Sequence, residues 1–326
     1  MRLIHTNDQL YSLLPNIMTV VKGERQVIDK IVPFIDASEK WLIDNFCPKE
    51  IFDDIADRPD PSTARLRNSE SGDELAQSQP SRDEILMKLK VTMARIVAFD
   101  AFRSAIPHLD VILTPNGFGI VNNSNIAPAS KERVERLINS LLDNRDNEIE
   151  SLLSLLPKET GWTSSDQGRF FASTMFPNID VTTRLPKVSC GRWEQYLTVR
   201  ETLQVMEDFF ARQYLSKPLL QIFRDEVQTG AYRSPLHIHA CNIIRAIEIR
   251  CLRTPDPTSA MQLAYAESAT PQQSSNKFGS AFGSIADYEH YYLTDIVNSI
   301  KQNPDDFAEM LKQRAQYQVH LNIVES

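Results

Sequence analysis

The stretch LDVILTPNGFGIVNNSNIAPASKERVERL, residues Leu109 to Leu137, decides the fold because it combines a hairpin signal with the start of a long helix. Two short β-prone runs, Asp110 to Leu113 and Phe118 to Val121, flank the sequence Thr114-Pro115-Asn116-Gly117. An Asn-Gly pair readily supplies the positive φ angles that a tight turn needs. The pattern therefore predicts a β-hairpin within residues 109–122.

The residues that follow the hairpin predict a long helix. Ser130 is a favoured N-cap residue and stands directly before the first helical turn. Apolar residues then recur at helical spacing, which predicts one buried face. They are Val134, Leu137, Ile138, Leu141, Leu142, Ile149, Leu152, Leu153 and Leu156, and Pro157 is expected to end the helix.

The residues before the hairpin predict further helices and one long loop. Thr6-Asn7-Asp8 offers caps for a first helix, and Glu24 to Phe46 predicts a second helix that Pro33 kinks or splits. Residues 58–82 carry almost no large apolar side chains, so they predict a loop. A broad apolar stripe from Asp83 to Ser104 predicts a buried helix that ends at Pro107.

The second half of the chain repeats the helical theme after a less regular stretch. Residues 158–191 predict a linker, within which Ile179 to Thr183 is β-branched enough to predict a strand. A helical pattern runs from Arg192 to Val227 with a bend expected at Pro218, and Gly230 is expected to end it.

Beyond Gly230, three longer helices and a strand-like tail are predicted, and Met261 to Glu267 fits another short helix. The helices cover residues 234–252, 286–301 and 304–315, and residues 268–284 form a polar loop. The alternating residues of Gln318 to Val324 are typical of a strand.

These patterns together predict a mainly α protein: a helical bundle with a projecting β-hairpin and a second, mostly helical half. The first domain covers residues 1–157, with loop 58–82 and hairpin 109–122. Residues 158–191 link it to a second helical domain, 192–326, that ends in the strand-like tail. The 10 glycines among 326 residues are too few for a sheet with many tight turns.

Composition and charge exclude several classes of protein. Hydrophobic residues make up 42% and charged residues 24% of the chain, which are globular values. The net charge of −8 and the lack of any basic block argue against nucleic acid as the main ligand. No run of 18 apolar residues predicts a membrane span. The cysteines show no paired spacing and the N-terminus lacks a signal-peptide pattern, so folding inside the cell is expected.

No catalytic signature stands out, so we expect neither an enzyme nor a cofactor. His237, His239 and Cys241 offer zinc-type ligands, but on a helix alternate residues point to different sides, so they are interpreted as residues of a helix start. Cys190-Gly191-Arg192-Trp193 only weakly resembles a papain-like site, and no GxSxG motif occurs. Asp143 to Asp146 and Asp305-Asp306 are interpreted as carboxylates at solvated helix ends.

A resemblance adds a function to this architecture. The order of an Ala- and Phe-rich helix ending at IPHLD, the hairpin LTPNGFGIVNN, NIAPASKERVERLI and a helix ending in LLSLLP resembles a family of structural proteins of Bacteroidota phages and prophages. The similarity covers Asp83 to Leu156, and such genes lie near capsid and portal genes. A helical protein with one projecting hairpin is similar to the head–tail adaptors, or connectors, of tailed phages.

The resemblance implies a ring, commonly twelvefold, that sits on the portal protein in the virion neck after assembly in the host cytoplasm. Its partners would be further copies of itself, the portal and other neck or tail proteins, with DNA only passing through and no membrane. The alternatives are another phage structural component, of tail-completion or capsid-associated type, and a metal-dependent hydrolase. The predicted assembly contacts are Thr114, Pro115, Asn116, Gly117, Phe118, Gly119, Ile120, Val121, Gln318, Val319, His320, Leu321, Asn322, Ile323 and Val324.

Overall fold

The computed structural model describes residues 2–14, 27–59, 81–109, 111–114, 117–120, 130–188, 190–213, 217–233, 235–257 and 260. The chain divides into two compact units, Met1–Phe170 and Phe171–Ser326. The described residues are mostly α-helical, which confirms that the protein is mainly α. The helices are α1 (Asn7–Leu13), α2 (Val27–Asn45), α3 (Lys49–Ala56), α4 (Arg82–Leu109), α5 (Lys131–Leu155), α6 (Asp166–Phe171), α7 (Arg192–Gln213), α8 (Lys217–Thr229) and α9 (Pro235–Leu252).

The first unit is built around α4, which packs against α2 on one side and α5 on the other. Large apolar residues of α4, such as Leu89 and Met93, are fully buried. Ala98, Ala101 and Ala105 on the same helix are also buried, and their small side chains allow the neighbouring helices to approach closely. This arrangement explains why the apolar stripe of α4 is broader than that of a surface helix.

A buried ion cluster ties the three long helices together. Arg145 of α5 donates to Asp146 through Nε at 3.0 Å and Nη2 at 2.8 Å, and through Nη1 to Asp100 of α4 at 3.2 Å. Asp100 also accepts from Ser38 Oγ of α2 at 2.8 Å. The Arg145 guanidinium lies 5.2 Å from the ring centre of Trp41. Each charge is therefore paired where water cannot reach it.

The cluster corrects one sequence interpretation and sets one pKa. The sequence predicts Asp146 at a solvated helix end. That prediction is wrong, because Asp146 lies inside α5, is fully buried and accepts two hydrogen bonds from Arg145. Burial opposes ionisation of Asp100, yet hydrogen bonds from Arg103 and Ser38 and the charge of Arg145 outweigh it and lower the Asp100 pKa. Asp305-Asp306 lies outside the described residues.

The start of the chain is fastened to α2. Thr6 caps α1, as predicted: its hydroxyl accepts from the backbone N–H of Gln9, whose side chain accepts in return from the N–H of Thr6. The backbone N–H of Leu3 donates to Glu39 Oε1 at 2.6 Å, and Leu3 and Ile4 are buried. Burial raises the Glu39 pKa, although the hydrogen bond from Leu3 opposes that shift.

The residues on either side of the predicted loop 58–82 are held together. Arg58 forms an ion pair with Asp83 at 2.8 Å. The ammonium group of Lys90, which is buried on α4, donates to the carbonyl oxygens of Ala56, at 3.2 Å, and of Arg58. Lys90 thereby supplies a donor to the end of α3. The loop itself lies mostly outside the described residues.

Residues 159–170 complete the first unit, although the sequence assigns them to a linker. The indole Nε1–H of Trp162 donates to the carbonyl oxygen of Phe46 at 2.7 Å, and Trp162 is fully buried. Gln167 donates to the carbonyl oxygen of Ile43 at 3.0 Å. A Cβ atom on Gly168 would lie 2.1 Å from the carbonyl oxygen of Trp162, so this close approach requires glycine.

The second unit packs α7, α8 and α9 with the segment that follows α6. Phe171, Trp193 and Tyr196 form an aromatic cluster with ring centres 6.0 to 6.2 Å apart. The Tyr196 hydroxyl donates to the carbonyl oxygen of Phe176 at 2.8 Å, and burial raises the Tyr196 pKa. The polar end of this fully buried tyrosine is thus satisfied.

Two short strands lie between α4 and α5 in the chain. β1 (Val111–Thr114) and β2 (Gly117–Ile120) are antiparallel, with Thr114 opposite Gly117 and Val111 opposite Ile120. Whether this strand pair projects from the bundle as a hairpin stays a prediction. Among the described residues, no helix is both long and apolar enough to cross a lipid bilayer.

Two helices continue through prolines that were expected to interrupt or end them. α2 runs through Pro33 and α4 runs past Pro107 to Leu109. A proline removes one backbone hydrogen bond, but burial of residues such as Ile31 and Ile35 on either side of Pro33 offsets that loss. In the last turn of α4, the His108 ring packs 5.4 Å from the ring of Phe34.

The predicted strand at Ile179 to Thr183 is wrong, because Ile179–Arg184 forms a 3-10 helix. The Asn178 side chain accepts from the backbone N–H of Ile179, and the Thr182 hydroxyl donates to the Ile179 carbonyl oxygen at 2.6 Å. These local side-chain hydrogen bonds favour a tight turn over the extended backbone that β-branched residues otherwise prefer.

Three further expectations can be compared with the helix ends. Gly230 ends α8 with φ of 71°, as predicted for a C′ glycine. The bend expected at Pro218 stays a prediction, because residues 214–216, between α7 and α8, lie outside the described residues. Ser130 is the N-cap of α5, but its side chain makes no capping hydrogen bond. Everything predicted for residues 261–326 lies outside the described residues.

Candidate assembly surface

The register of the α4–α5 pair determines which residues meet at its end. Arg95 of α4 pairs with Glu148 of α5 at 3.2 Å, and Asp100 pairs with Arg145 at 3.2 Å. Because numbers rise along α4 while they fall along α5, the two helices are antiparallel. Extending this register places the last turns of α4 beside the first turns of α5, next to the strand pair.

The first ten residues of α5, Lys131 to Ser140, contain no buried side chain. Burial begins only at Leu141 and continues through Ile149 and Leu153. At a helical rise of about 1.5 Å per residue, the uncovered part is about 15 Å long. α5 is one continuous helix with two parts: a core half, and a part without fully buried side chains that we call the uncovered half.

The uncovered half still carries the apolar stripe that the sequence predicts. Its apolar side chains, and those of the facing end of α4, are neither buried nor fully exposed. We refer to these six half-buried residues as the helix-pair end: Phe102, Ile106, Leu109, Val134, Leu137 and Ile138. Apolar surface in contact with water is unfavourable, so the free energy falls when another molecule covers it.

Local ion pairs support the uncovered half as a helix. Lys131 lies 3.6 Å from Glu135, and Arg136 forms an ion pair with Glu132, in both cases four residues apart. Pairs this exposed contribute little to stability. They lie on the polar, solvent-facing side of α5, so they do not bury the apolar residues of the helix-pair end.

The strand pair adds a second feature suited to assembly. β1 and β2 form a two-stranded sheet, so each has one edge without a strand partner among the described residues. Such an edge presents backbone N–H and C=O groups that a strand from another chain can pair with. A sheet edge without a strand partner among the described residues and the half-buried helix-pair end thus lie at adjoining parts of the chain.

The structure describes some of the predicted assembly contacts. Thr114 is the last residue of β1, and Gly117, Phe118, Gly119 and Ile120 form β2. Pro115, Asn116 and Val121 lie outside the described residues, as does the whole predicted tail contact of residues 318–324.

The apolar stripe of α5 does not distinguish the helix-pair end from the buried part of the same helix. Val134, Leu137 and Ile138 fit the same periodic stripe as Leu141, which is buried. Periodicity shows which face of a helix is apolar, but it does not show where the core stops covering that face. The only signal in the sequence is the density of charged residues in KERVERL.

The predicted metal candidates lie in α9, at a helix start as the sequence indicates. His237 Nδ1 lies 2.8 Å from Glu226 Oε2, and both residues are buried. Cys241 is fully buried, and this burial raises the pKa of its thiol to about 12. A thiol in that state is a poor nucleophile and a poor metal ligand at neutral pH.

Within the described ranges, no three His, Cys, Asp or Glu residues are arranged to hold a metal ion. Cys190, the other cysteine considered for chemistry, is exposed and precedes α7. The described part of the chain brings neither a histidine nor a carboxylate into hydrogen-bond contact with it.

A protein-family comparison gives one match. Residues 53–172 match the model of a family of unknown function, DUF6712. This range contains α4, the strand pair and α5, and therefore the whole of the helix-pair end. Comparisons with curated proteins and with solved structures give no match.

Proposed function

We propose that this protein is a non-enzymatic structural protein of a phage virion, a head–tail adaptor that forms a ring on the portal. One observation supports the proposal: the half-buried helix-pair end belongs to the two helices that flank the strand pair in the chain, and each strand has one edge without a strand partner among the described residues. The resemblance of Asp83 to Leu156 to phage structural proteins supplies the context in which such a surface is used.

A second copy of the same chain is the occupant that we propose for this surface. In a ring, the helix-pair end of one subunit meets a different face of the next, and the contact repeats until the ring closes. The open strand edge adds directional backbone hydrogen bonds to the non-directional burial of apolar side chains. The portal and other neck proteins are the proposed partners along the ring axis, and DNA only passes through.

The role fits a chain whose net charge is −8, because an acidic conduit wall does not retain DNA. A twelvefold ring and a location in the virion neck follow from the adaptor resemblance and are parts of the same proposal. Assembly would take place in the host cytoplasm.

The test measures the mass of the purified protein by light scattering, alone and mixed with the portal protein from the same genome. We expect a large closed oligomer, either alone or only on the portal. A monomer that ignores the portal would overturn the adaptor role. Binding to capsid or tail proteins instead would identify a different structural component of the particle.

Two variants locate the contact. Phe118→Asp in β2 and Leu137→Asp in the helix-pair end should abolish ring formation, because a charge would be buried without a partner. Val205→Asp is the matched control, since Val205 is 51% exposed on α7. All three should keep the helical circular dichroism of the parent. Rings that form normally from both test variants would exclude this surface.

A further inference from the structure

Glu207 and Glu248 are both fully buried in the second unit, and the charge of Glu207 acts on Glu248. Glu207, in α7, is well supported. Its Oε1 accepts from the backbone N–H of Met175 at 2.7 Å, and its Oε2 accepts from Arg224 Nε at 2.7 Å. These donors favour the ionised form of Glu207.

Glu248, in α9, has no such support. Neither Oε1 nor Oε2 has a hydrogen-bond partner among the described residues. A buried carboxylate without hydrogen bonds or a paired cation is unfavourable, because nothing replaces the hydration that it loses. Taking up a proton removes the charge, and with it most of that cost.

The charged neighbours of Glu248 do not pair with it. On α8, Arg224 already donates to Glu207. On α9, the guanidinium of Arg245 lies 4.8 Å from the ring centre of Phe176, and its Nη2 lies 3.9 Å from Asp180 of the 3-10 helix. On α7, the negative charge of Glu207 opposes ionisation of Glu248.

More distant groups complete the electrostatic surroundings. Asp208 acts on Glu207, and the buried thiol of Cys241 is affected by Glu248. Two carboxyl groups flanked by two arginines are a poor site for a metal cation, because the guanidinium groups repel it. A proton is therefore the cation that Glu248 is best suited to bind.

We propose that the protonation state of Glu248 controls the packing of α7, α8 and α9. While Glu248 is protonated, this core stays closed to solvent. When Glu248 loses its proton, the core opens to solvent. The second unit thereby contains a pH-sensitive element that is independent of the assembly surface.

The sign of the pH dependence follows from the pKa shifts. Burial raises the pKa of Glu248 well above the usual value of 4.5, and the charge of Glu207 adds to the shift. Burial likewise raises the pKa of Glu207 to about 7, against the opposing effect of Arg224. An acid whose pKa is raised in the folded state contributes stability below its unfolded pKa. That contribution is lost as the pH rises through the folded value.

The cysteines provide a probe for each unit. Cys241 and Cys251 are buried in the second unit, Cys47 is buried in the first, and Cys190 is exposed. At about pH 8, a thiol reagent should label Cys190 at once and the buried thiols only when their unit opens. Labelling rates followed by mass spectrometry thus report the opening of each unit separately.

Glu248→Gln keeps the size of the side chain but cannot ionise. We expect it to slow labelling of Cys241 and Cys251 by about tenfold or more at about pH 8, since one pKa unit corresponds to a tenfold change in the equilibrium. Labelling of Cys47 should stay the same. Glu201→Gln, at an exposed position of α7, is the matched control and should change nothing.

An infrared measurement on the parent protein covers the case in which the variant does not fold. A protonated, buried carboxylic acid has a carbonyl stretching band distinct from that of a carboxylate. The band should be present at about neutral pH and disappear at high pH as the second unit opens. Absence of the band at neutral pH would overturn the proposal. Unchanged or faster labelling of Cys241 and Cys251 in a folded Glu248→Gln protein would overturn it as well.

Discussion

The most completely paired buried ion cluster of the first unit contrasts with one unpaired carboxyl group in the second. In the first unit, Arg145 sits between Asp100 and Asp146, and hydrogen bonds join all three. In the second unit, Glu248 is equally buried but has no hydrogen-bond partner among the described residues. A buried charge that is fully paired fixes how helices pack, whereas one that is not paired makes the packing depend on protonation.

The largest effect is expected from removing Arg145, the shared partner in the ion cluster of the first unit. Arg145→Met should destabilise the first unit by about 3–5 kcal/mol, because it leaves two buried carboxylates without their shared partner. Chemical denaturation followed by tryptophan fluorescence measures the change, since Trp41 lies against Arg145. Arg133→Met, at an exposed position of the same helix, is the control. Equal stabilities for the two variants would mean that the cluster contributes nothing.

A change of pH should affect the two units in opposite directions. Because the Asp100 pKa is lowered, its contribution is present above the unfolded value of 3.8 and is lost as the pH falls through the folded value. Over the same acid range Glu248 is protonated and the second unit keeps its full contribution from that group. Hydrogen exchange in peptides from α4 and α9, corrected for the intrinsic effect of pH, measures both units.

That experiment has a specific control. Asp100→Asn should flatten the acid response of α4 while leaving α9 unchanged. If acid instead opened α9 first, the protonated form of Glu248 could not be the closed one. Glu39, whose raised pKa acts above 4.5, affects the first unit only at higher pH.

The smallest effect on stability should come from breaking a solvent-exposed ion pair. Glu132→Gln breaks the exposed pair with Arg136 in the uncovered half of α5, and the thermal midpoint should not move measurably. This result would give the baseline against which both buried arrangements are judged. A clear loss of stability would show that α5 depends on local charge pairs more than on its core half.

The sequence predicts the helices well because apolar periodicity records which face is buried. It predicts the cap at Thr6 and the helix end at Gly230 because those residues have specific local chemistry. It misses the buried ion cluster, since Arg145 and Asp146 have the composition of a surface face, and the partner that Arg145 finds in Asp100 lies on another helix. The same limit applies to Glu248.

The candidate surface was predicted only in part, for a related reason. The strand signal around Asn116-Gly117 is local, so the sequence carries it. Incomplete burial of Leu137 depends on where α4 and the rest of the bundle end, which no local pattern records. At Ile179, by contrast, local hydrogen bonds overrode a β-branched pattern that predicted a strand.

The ion pair between Arg58 and Asp83 has a practical consequence for protein engineering. Arg58 reaches Asp83, and Lys90 holds the carbonyl oxygens of Ala56 and Arg58, so the two flanks are joined whatever sequence stands between them. A foreign domain inserted there has both of its termini anchored by the host, and the entropy of closing a longer connection grows only slowly with length. This position is therefore the natural place to display a cargo on the protein.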